Sequence, residues 1–312
     1  MPPANNELVV HVLNVGDGDD IIIDFPGAPG QRRYAVVDCY NGVKTVKYLN
    51  DSDVKGMLEF VCATHPHDDH INGMSELLTS YRGRVHEFWD SGFRHTIPAY
   101  EDMIAALEAD PDLRYFRVTS GMERRINGVK VSVLAPSMYL RNRFDTYGID
   151  INNASVVLML EYNRFKMVLG GDAQFTSWSK ILEEYPDFKK TVDPSARVQI
   201  KEAFNPLNCN VLKVSHHCSN NGTAFECINM LDPEYAIVSC SGASTHDFPH
   251  PIARMCLEKI VGEDKAHDRV MFTDYEGLGY TRKGSIVVST SGTGSPTFRF
   301  LGDRPGDFPA PP

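Results

Sequence analysis

The stretch Leu58-Glu59-Phe60-Val61-Cys62-Ala63-Thr64-His65-Pro66-His67-Asp68-Asp69-His70 decides how this chain is interpreted. Its first six residues are mostly apolar and have the length of a buried strand. The residues that follow place four potential ligands within six positions: His65, His67, Asp69 and His70. α/β proteins bind ligands where strands end, because the rigid backbone aims several side chains into one crevice. We therefore expect a functional site directly after this strand.

The ligand types in this cluster predict a metal centre. Imidazole and carboxylate groups together suit zinc, manganese or iron, and their short spacing lets one loop hold two adjacent ions. Without a bound cation the packed side chains would lose hydration, and the imidazoles would repel one another once protonated. An ordinary polar loop is therefore the weaker interpretation.

The composition predicts a soluble protein of a reducing compartment. The longest apolar stretches, such as Ser155–Leu160 and Ile286–Val288, are too short to cross a bilayer. The N-terminus lacks the basic patch and apolar run of a signal peptide. The seven cysteines are odd in number and show no C-x-x-C spacing, as expected of free thiols. We expect a cytoplasmic protein without membrane association.

Net charge bears on the class of substrate. The chain carries a net charge of −10 at pH 7, whereas proteins that grip long nucleic acids nonspecifically usually have a basic excess. Bound divalent metals would add positive charge where a substrate sits, so the total charge is only mild evidence. Scattered basic residues that could line a substrate groove, or simply face solvent, are Arg82, Arg84, Arg124, Arg125, Arg141, Arg143 and Lys213.

Strand-like runs, helical periodicity and turn signals alternate along the chain. Three Val- and Ile-rich runs near the N-terminus predict strands: Leu8–Val15, Asp20–Phe25 and Tyr34–Cys39. Asn127-Gly128 and Asn163-Arg164 predict hairpin turns. This order suits two sheets flanked by helices in a single domain over residues 1–302. The Pro- and Gly-rich residues 303–312 predict a flexible tail.

The histidine cluster resembles a family signature. His65-x-His67-x-Asp69-His70 is similar to the H-x-H-x-D-H motif of the metallo-β-lactamase superfamily. Members of this superfamily share an αββα four-layer sandwich, in which two mixed sheets are flanked by helices. The resemblance therefore implies this α/β fold and a metal-dependent hydrolase.

Further segments extend the resemblance over most of the chain, from about Val9 to Ser289. Val168–Ala173 resembles the "GDA" segment, whose aspartate bridges two metals. Val211–His217 resembles the "LKxxHHGS" segment of one branch, the hydrolase domain of ComEC-type DNA-uptake proteins. Two segments nearer the N-terminus, similar to the "LDVGQGD" and "LIDGG" segments of that branch, are Leu13–Asp19 and Val36–Cys39.

The resemblance implies a role for each residue of the cluster. His65 and His67 would hold one divalent ion, zinc or manganese. Asp69 and His70 would hold a second ion, and Asp172 would bridge the two. Two such ions lower the pKa of a bridging water from about 15.7 toward neutrality and so supply hydroxide for hydrolysis.

The pair His216-His217 and the later His250 complete the predicted site. One histidine of the pair would complete the second metal site, and we favour His217 as this ligand and His216 as a substrate contact. His250 resembles a His-Pro of the ComEC-type domain and could bind a phosphate or protonate a leaving group, or could be a structural loop residue. The candidate catalytic residues are thus Asp69, His216 and His250.

Two departures from the family pattern stand beside this resemblance. Cys218-Ser219 follows the histidine pair where the branch commonly has Gly-Ser. Asn152-Asn153 stands where other members of the superfamily have a histidine. Asn153 could ligate weakly, contact substrate or shape the turn, and we favour a role other than ligation. Five further histidines have no motif support and are expected to be structural: His11, His86, His95, His246 and His267.

The favoured function is a phosphodiesterase or nuclease that acts on DNA or RNA with a metal-bridged hydroxide. Because no stretch is long enough to cross a bilayer, we expect the hydrolase module without a DNA-transport channel. One alternative is a hydrolase of a small ester, lactone or small phosphodiester, since one fold serves many substrates. Another is a metal-binding effector subunit of a larger bacterial complex, active only with a protein partner.

Overall fold

The computed structural model describes residues 4–52, 54, 56–141, 150–185 and 206–302. In chain order its strands are β1 (Leu8–Val12), β2 (Asp20–Phe25), β3 (Arg33–Cys39), β4 (Leu58–Ala63), β5 (Val85–Asp90), β6 (Arg114–Arg117), β7 (Glu123–Ile126), β8 (Val129–Ala135), β9 (Val157–Tyr162), β10 (Phe165–Leu169), β11 (Val211–Lys213), β12 (Tyr235–Val238), β13 (Val270–Phe272), β14 (Ser285–Thr290) and β15 (Thr297–Leu301).

The helices lie between these strands. They are α1 (Gly42–Asp51), α2 (Asp68–Ile71), α3 (Met74–Ser80), α4 (Pro98–Glu108), α5 (Met138–Arg141), α6 (Phe175–Glu184), α7 (Phe225–Leu231), α8 (Pro251–Val261) and α9 (Ala266–Arg269). Short 3-10 turns cover Ile151–Ala154, Ser215–Cys218 and Glu263–Lys265. Within the described ranges no helix is both long and apolar enough to span a membrane.

The strands form two mixed sheets. The first has the order β15-β14-β1-β2-β3-β4-β5-β6, and the second has the order β13-β12-β11-β10-β9-β8-β7. In the first sheet β3 to β6 are parallel, and in the second β10 to β13 are parallel. The remaining neighbours are antiparallel. Some of them, such as β7 with β8 and β9 with β10, are joined by tight hairpin turns.

Both faces of each sheet are buried, so four layers result. In β1 and β2, Val10 and Ile23 point into the core between the two sheets. Their neighbours Val9 and Ile22 point to the opposite face, where they pack with residues of α1, α3 and α4. The helices α6, α7 and α8 cover the outer face of the second sheet in the same way. This arrangement confirms the predicted αββα sandwich.

The sequence pattern missed three strands of the first sheet, β5, β6 and β15. In β15, at one edge of the sheet, only Leu301 is buried. In β5, Glu87 and Asp90 interrupt the apolar pattern, and both carboxylates are buried against hydrogen-bond donors. In β6 at the sheet edge, the residues Arg114–Arg117 are mostly exposed. Because polar residues are tolerated at a sheet edge, a search for apolar patterns does not detect this strand. The extent of the single domain and the tail over residues 303–312 stay predictions, because the tail lies outside the described residues.

The parallel strands of both sheets end at the same edge of the sandwich. There the backbone N–H of Val156 donates to the carbonyl of Thr64 at 2.9 Å and ties the second sheet to the first. The segments after β4, β10 and β11 all start at this edge. The fold therefore brings the three motif segments of the sequence to one place.

Candidate metal centre

A buried carboxylate positions the loop that follows β4. Asp38, at the end of β3, accepts hydrogen bonds from the backbone N–H and the hydroxyl of Thr64 at 2.7 and 2.8 Å. The same carboxylate lies 2.7 Å from Nδ1 of His70. A carboxylate accepts here, so Nδ1 of His70 carries the proton and the Nε2 lone pair is left for a cation. Asp38 thus fixes the tautomer and orientation of a candidate ligand.

Four side chains converge on one point: Asp69, His70, Asp172 and His217. Oδ1 of Asp172 lies 3.2 Å from Nε2 of His70 and 3.6 Å from Nε2 of His217. Oδ2 of Asp69 lies 3.4 Å from Nε2 of His217 and 3.8 Å from Nε2 of His70. Ligands about 2.0–2.1 Å from a tetrahedral zinc ion are separated from each other by about 3.3 Å. The four atoms are therefore spaced as one cation would require.

Three of these atoms are buried without a hydrogen bond to any described residue. They are Nε2 of His70, Nε2 of His217 and Oδ1 of Asp172. Leaving one such atom unsatisfied costs roughly 1–3 kcal/mol. Three unsatisfied atoms aimed at the same point fit a bound cation, which would satisfy all of them at once.

The other oxygen of Asp172 faces a second group of histidines. Nε2 of His65 lies 3.9 Å from Oδ2 of Asp172 and 3.0 Å from Nδ1 of His67. Nε2 of His216 lies 3.7 Å from the same carboxylate oxygen. The two oxygens of Asp172 therefore face two different groups of nitrogen atoms, which is the arrangement of a bridging carboxylate.

The electrostatics of the cluster favour positive charge. Burial alone would lower the pKa of His70, but the carboxylates of Asp172, Asp38 and Asp69 outweigh it and raise the pKa. In His217, burial is likewise outweighed by Asp172, and the pKa is raised. Burial would raise the pKa of Asp172, yet His70 and His217 lower it well below its usual range. A cation would take over the role that the protonated imidazoles play here.

The histidines nearer Oδ2 of Asp172 behave differently. Burial lowers the pKa of His65, and the neighbouring His70 lowers it further. Burial also lowers the pKa of His67 and of His216. These three imidazoles are thus held neutral, which is the form that can bind a metal ion or donate a hydrogen bond.

A left-handed turn presents His216 and His217. The φ angles of His216, His217 and Cys218 are +50°, +51° and +63°. Each non-glycine residue in this conformation costs roughly 1–2 kcal/mol, because Cβ approaches the next carbonyl oxygen. A Cβ on Gly222 would lie only 2.7 Å from Cβ of His216, so the turn also needs a glycine beside it. Strain concentrated at two adjacent histidines is typical of a functional site.

A buried ion pair joins the second sheet to the loop after β1. Lys213, at the end of β11, is fully buried and pairs with Asp19. The backbone N–H of Asp19 also donates to the carbonyl of Asp69 at 3.1 Å. Oδ1 of Asp19 is buried without a hydrogen bond to a described residue. The expectation that Lys213 lines a substrate groove is therefore wrong, because its ammonium group is buried in an ion pair with Asp19.

The structure brings together seven of the eight residues predicted for the site: His65, His67, Asp69, His70, Asp172, His216 and His217. His250 caps α8, and its backbone N–H donates to the carbonyl of Cys218 at 3.0 Å. Nδ1 of its ring is buried without a hydrogen bond to a described residue, and its catalytic role stays a prediction. Of the other basic residues, Arg124 pairs with Glu87. Arg143 and the side chain of Arg141 lie outside the described residues.

Three residues of the site were missed by the sequence patterns. Nε2 of Gln174 lies 3.4 Å from Nδ1 of His216. The ring of Phe248 lies 5.6 Å from that of His216 and 5.7 Å from that of His217, and the ring of His95 lies 5.9 Å from that of His67. Gln174 directly follows the Val168–Ala173 segment, and that adjacency was the one available signal.

Comparison with solved structures identifies the class of fold. YhfI from Bacillus subtilis, a metallo-β-lactamase fold protein, superposes with a TM-score of 0.50 over 91% of this chain and 99% of its own, at 10% identity. A diphosphatase of the PhnP family superposes with a TM-score of 0.44 over 87% of this chain and 96% of its own, at 8% identity. The superposition on YhfI shows that the chain has the metallo-β-lactamase fold.

The sequence comparison adds a particular relative. The chain is 25% identical over 296 residues to ComE operon protein 3 of Bacillus subtilis, and the alignment covers 88% of this chain. The match spans 33% of that relative, so the chain corresponds to about one third of its length. This relationship confirms the resemblance to ComEC-type proteins. No family model matches the chain.

Proposed function

We propose that this protein is a metal-dependent phosphodiesterase that acts on DNA or RNA. The observation that carries the proposal is the convergence of three buried atoms without hydrogen bonds: Nε2 of His70, Nε2 of His217 and Oδ1 of Asp172. A structural cluster of polar residues would satisfy its own buried atoms. A metal centre leaves them unsatisfied until cations bind.

The ligand sets follow from which oxygen of Asp172 each side chain faces. Asp69, His70 and His217 would hold one divalent ion at Oδ1 of Asp172. His65 and His67 would hold the other ion at Oδ2. When bound, two such ions supply a nucleophile at neutral pH and neutralise charge on a phosphate. The mixed imidazole and carboxylate set suits zinc or manganese.

The surrounding residues prepare these ligands. Asp38 holds His70 with Nε2 free, and the carbonyl of Ser239 accepts from Nδ1 of His217 at 3.1 Å with the same effect. Thr64, at 3.1 Å from Nδ1 of His65, supports that ring. The candidate ligands His65, His70 and His217 are thus each oriented by a partner on the far side of the ring, which raises their affinity for a metal ion.

The resemblance to ComEC-type proteins supports a phosphodiester substrate, and the placement of basic side chains bears on the length of that substrate. The motifs Val168–Ala173 and Val211–His217 resemble those of the ComEC-type hydrolase domain, and the sequence relative is ComE operon protein 3. The buried position of Lys213 and the pairing of Arg124 with Glu87 leave fewer free cations for gripping a long duplex. We therefore expect short or single-stranded nucleic acid to be cleaved better than long duplex DNA.

The test is cleavage by the purified protein, metal by metal. Single-stranded DNA, duplex DNA, RNA and bis-p-nitrophenyl phosphate are incubated with manganese, zinc or magnesium. Asp172→Asn and Asp69→Ala are expected to abolish cleavage and to reduce the bound metal measured by elemental analysis. Asp112→Asn removes an exposed carboxylate and is the matched control, which should behave as the wild type.

The pattern of substrates decides among the alternatives. Cleavage of bis-p-nitrophenyl phosphate without cleavage of any polymer would favour the hydrolase of small esters or phosphodiesters. Two bound metal ions without any cleavage would contradict a constitutive enzyme and favour an effector that needs a protein partner. Absence of metal binding in the wild type would contradict the proposal altogether.

A further inference from the structure

A chain of hydrogen bonds leads from the backbone of α6 to the ring of His216. The backbone N–H of Ser177 donates to Oδ1 of Asn153 at 2.9 Å. Nδ2 of Asn153 donates to Oε1 of Gln174 at 3.3 Å. Nε2 of Gln174 lies 3.4 Å from Nδ1 of His216. Asn153 and Gln174 are only 5% and 7% exposed, so water competes little for these bonds.

The first donor sets the direction of every bond in this chain. A backbone N–H can only donate, so Oδ1 of Asn153 faces Ser177 and Nδ2 faces Gln174. Nδ2 must then donate to Oε1 of Gln174, which turns the Nε2 donor of Gln174 toward His216. Nδ1 of His216 therefore accepts. In the neutral imidazole, the single proton then sits on Nε2.

Asn152 brings its amide group to the same place. Its Nδ2 lies 3.5 Å from Nε2 of His216, and its Oδ1 is buried without a hydrogen bond to a described residue. Two N–H donors do not bond to each other, but at this separation both reach one oxygen atom about 2.9 Å from each. Oδ2 of Asp172 lies 3.7 Å from Nε2 of His216, so this pair of donors borders the candidate metal centre.

We propose that His216 Nε2–H and Asn152 Nδ2 form a donor pair that binds a non-bridging oxygen of the substrate phosphate, and that Asn153 and Gln174 are positioning residues that hold His216 in this tautomer. The proposal rests on the proposed phosphodiesterase function for its substrate. The tautomer of His216 is inferred separately, from the directions of the hydrogen bonds described above. The oxygen bound there gains negative charge in the transition state, where fixed donors are most effective.

This assignment separates the roles of the two adjacent histidines. A nitrogen that carries a proton has no lone pair for a metal ion, so His216 Nε2 does not ligate. Nδ1 of His217 faces a carbonyl acceptor at Ser239, so its proton lies on Nδ1 and its Nε2 is free. The same left-handed turn thus presents one donor and one ligand. Asn153, which stands where other superfamily members have a histidine, acts through Gln174 rather than as a ligand.

Metal content and spectroscopy test the tautomer without any assay of activity. His216→Ala is expected to retain the wild-type number of bound zinc ions, whereas His217→Ala loses one. In protein labelled with ¹⁵N-histidine, long-range ¹H–¹⁵N spectra of the zinc-loaded form should assign the proton of His216 to Nε2. Loss of a zinc ion in His216→Ala, or a proton on Nδ1, would overturn the assignment.

Reversing one bond of the chain tests the positioning role. Gln174→Glu replaces the donor that faces His216 by an acceptor, so the proton should move to Nδ1 in the same spectra. With bis-p-nitrophenyl phosphate and saturating metal, kcat is expected to fall about 10²–10³-fold, as for other lost oxyanion donors. Gln31→Glu adds the same charge at an exposed turn on the opposite edge of the sandwich and is the matched control. Unchanged kcat together with an unchanged tautomer in Gln174→Glu would contradict the positioning role.

Substitutions at the donor pair complete the test. Asn152→Asp and Asn152→Ala both remove a donor and should lower kcat to a similar extent, because the pair needs an N–H at this position. Wild-type activity in Asn152→Asp would mean that this side chain accepts instead, and would overturn the pair. His216→Gln, whose amide N–H can replace Nε2–H, should retain more activity than His216→Ala. If the wild type cleaves no phosphodiester, the proposed function and the donor pair both fail, while the spectra still decide the tautomer.

Discussion

Nδ1 of His70, in α2, lies 2.7 Å from Oδ2 of Asp38, near the end of β3, and both side chains are buried. This bond leaves Nε2 of His70 facing Oδ1 of Asp172 at 3.2 Å. Because Asp38 also accepts from the backbone of Thr64 at 2.7 Å, its orientation is fixed by the loop that it stabilises. Asp38 therefore fixes the orientation of His70 from the side opposite to the candidate metal centre.

Replacing Asp38 by asparagine is expected to weaken metal binding while the fold is retained. The backbone N–H of Thr64 would still donate to Oδ1 of the new asparagine. The amide nitrogen of the asparagine would then face Nδ1 of His70 as a donor. His70 would then carry its proton on Nε2, where it blocks the cation. Substitutions of such supporting residues typically cost 10–100-fold in affinity, and we expect about that loss for zinc in calorimetric titrations. Equal affinity in Asp38→Asn and in the control Asp112→Asn would contradict this account.

The buried pair of Lys213 and Asp19 predicts strong coupling between two substitutions. Lys213→Met leaves the carboxylate of Asp19 buried without its partner, which costs about 3–5 kcal/mol in comparable cases. Asp19→Asn combined with Lys213→Met removes both charges, so much of that loss should be recovered. A double-mutant cycle of urea unfolding measures the coupling. If the losses of the single variants simply add, the pair contributes nothing as a unit.

His11 predicts a loss of stability in acid. Burial, followed by the nearby charges of Arg299 and Arg32, lowers the pKa of His11 to about 3, and the hydroxyl of Tyr48 lies 2.7 Å from its Nδ1. The unfolded chain takes up this proton near its ordinary pKa of about 6.5, whereas the folded chain resists it. The stability that His11 contributes is therefore fully present above about pH 6.5 and is lost as the pH falls toward 3.

The variant His11→Gln isolates this contribution. The amide oxygen can still accept from Tyr48 but does not titrate. Relative to this variant, the wild type should lose free energy of unfolding by up to about 1.4 kcal/mol per pH unit between about pH 6 and pH 4. Urea unfolding of both proteins across this range measures the difference, in which the titration of the metal-centre residues cancels. Parallel pH profiles would show that the folded protein binds this proton as readily as the unfolded chain, which contradicts a lowered pKa of His11.

Local patterns predicted most of the fold. The strand Leu58–Ala63 and the helix Pro98–Glu108 lie where the sequence pattern placed them. The strand is a nearly continuous apolar run, and the helix has apolar residues at helical spacing, so both patterns are visible in the sequence. In β5 the buried carboxylates of Glu87 and Asp90 find partners that are distant in sequence, so the pattern could not reveal that strand.

The candidate site was predictable where its residues are dense in sequence. The His65–His70 cluster is visible in the sequence because its potential ligands are close together. Asp38 and Gln174 instead contact site histidines that lie 32 and 42 positions away in the sequence. The sequence could favour His217 over His216 as the ligand but could not explain the difference, because adjacent histidines have the same chemistry. They differ in what faces Nδ1: the donor of Gln174 in one case and the carbonyl of Ser239 in the other.

Gly222 predicts how sensitive the left-handed turn is to crowding. A Cβ at this position would lie 2.7 Å from Cβ of His216 and 3.1 Å from the carbonyl oxygen of Ser215. The backbone of His216 is anchored by a 3.0 Å hydrogen bond to the carbonyl of Gly171, so the turn has little room to yield. Gly222→Ala is therefore expected to displace the imidazoles of His216 and His217 and to lower both kcat and zinc affinity by about tenfold or more, since a displacement near 1 Å can cost 10²-fold in rate.

The control is Gly294→Ala, where a new Cβ would meet no atom within 4 Å. Kinetics on bis-p-nitrophenyl phosphate and zinc titration measure the two effects, and a Gly222→Ala variant as active as Gly294→Ala would mean that the turn relaxes without moving its histidines.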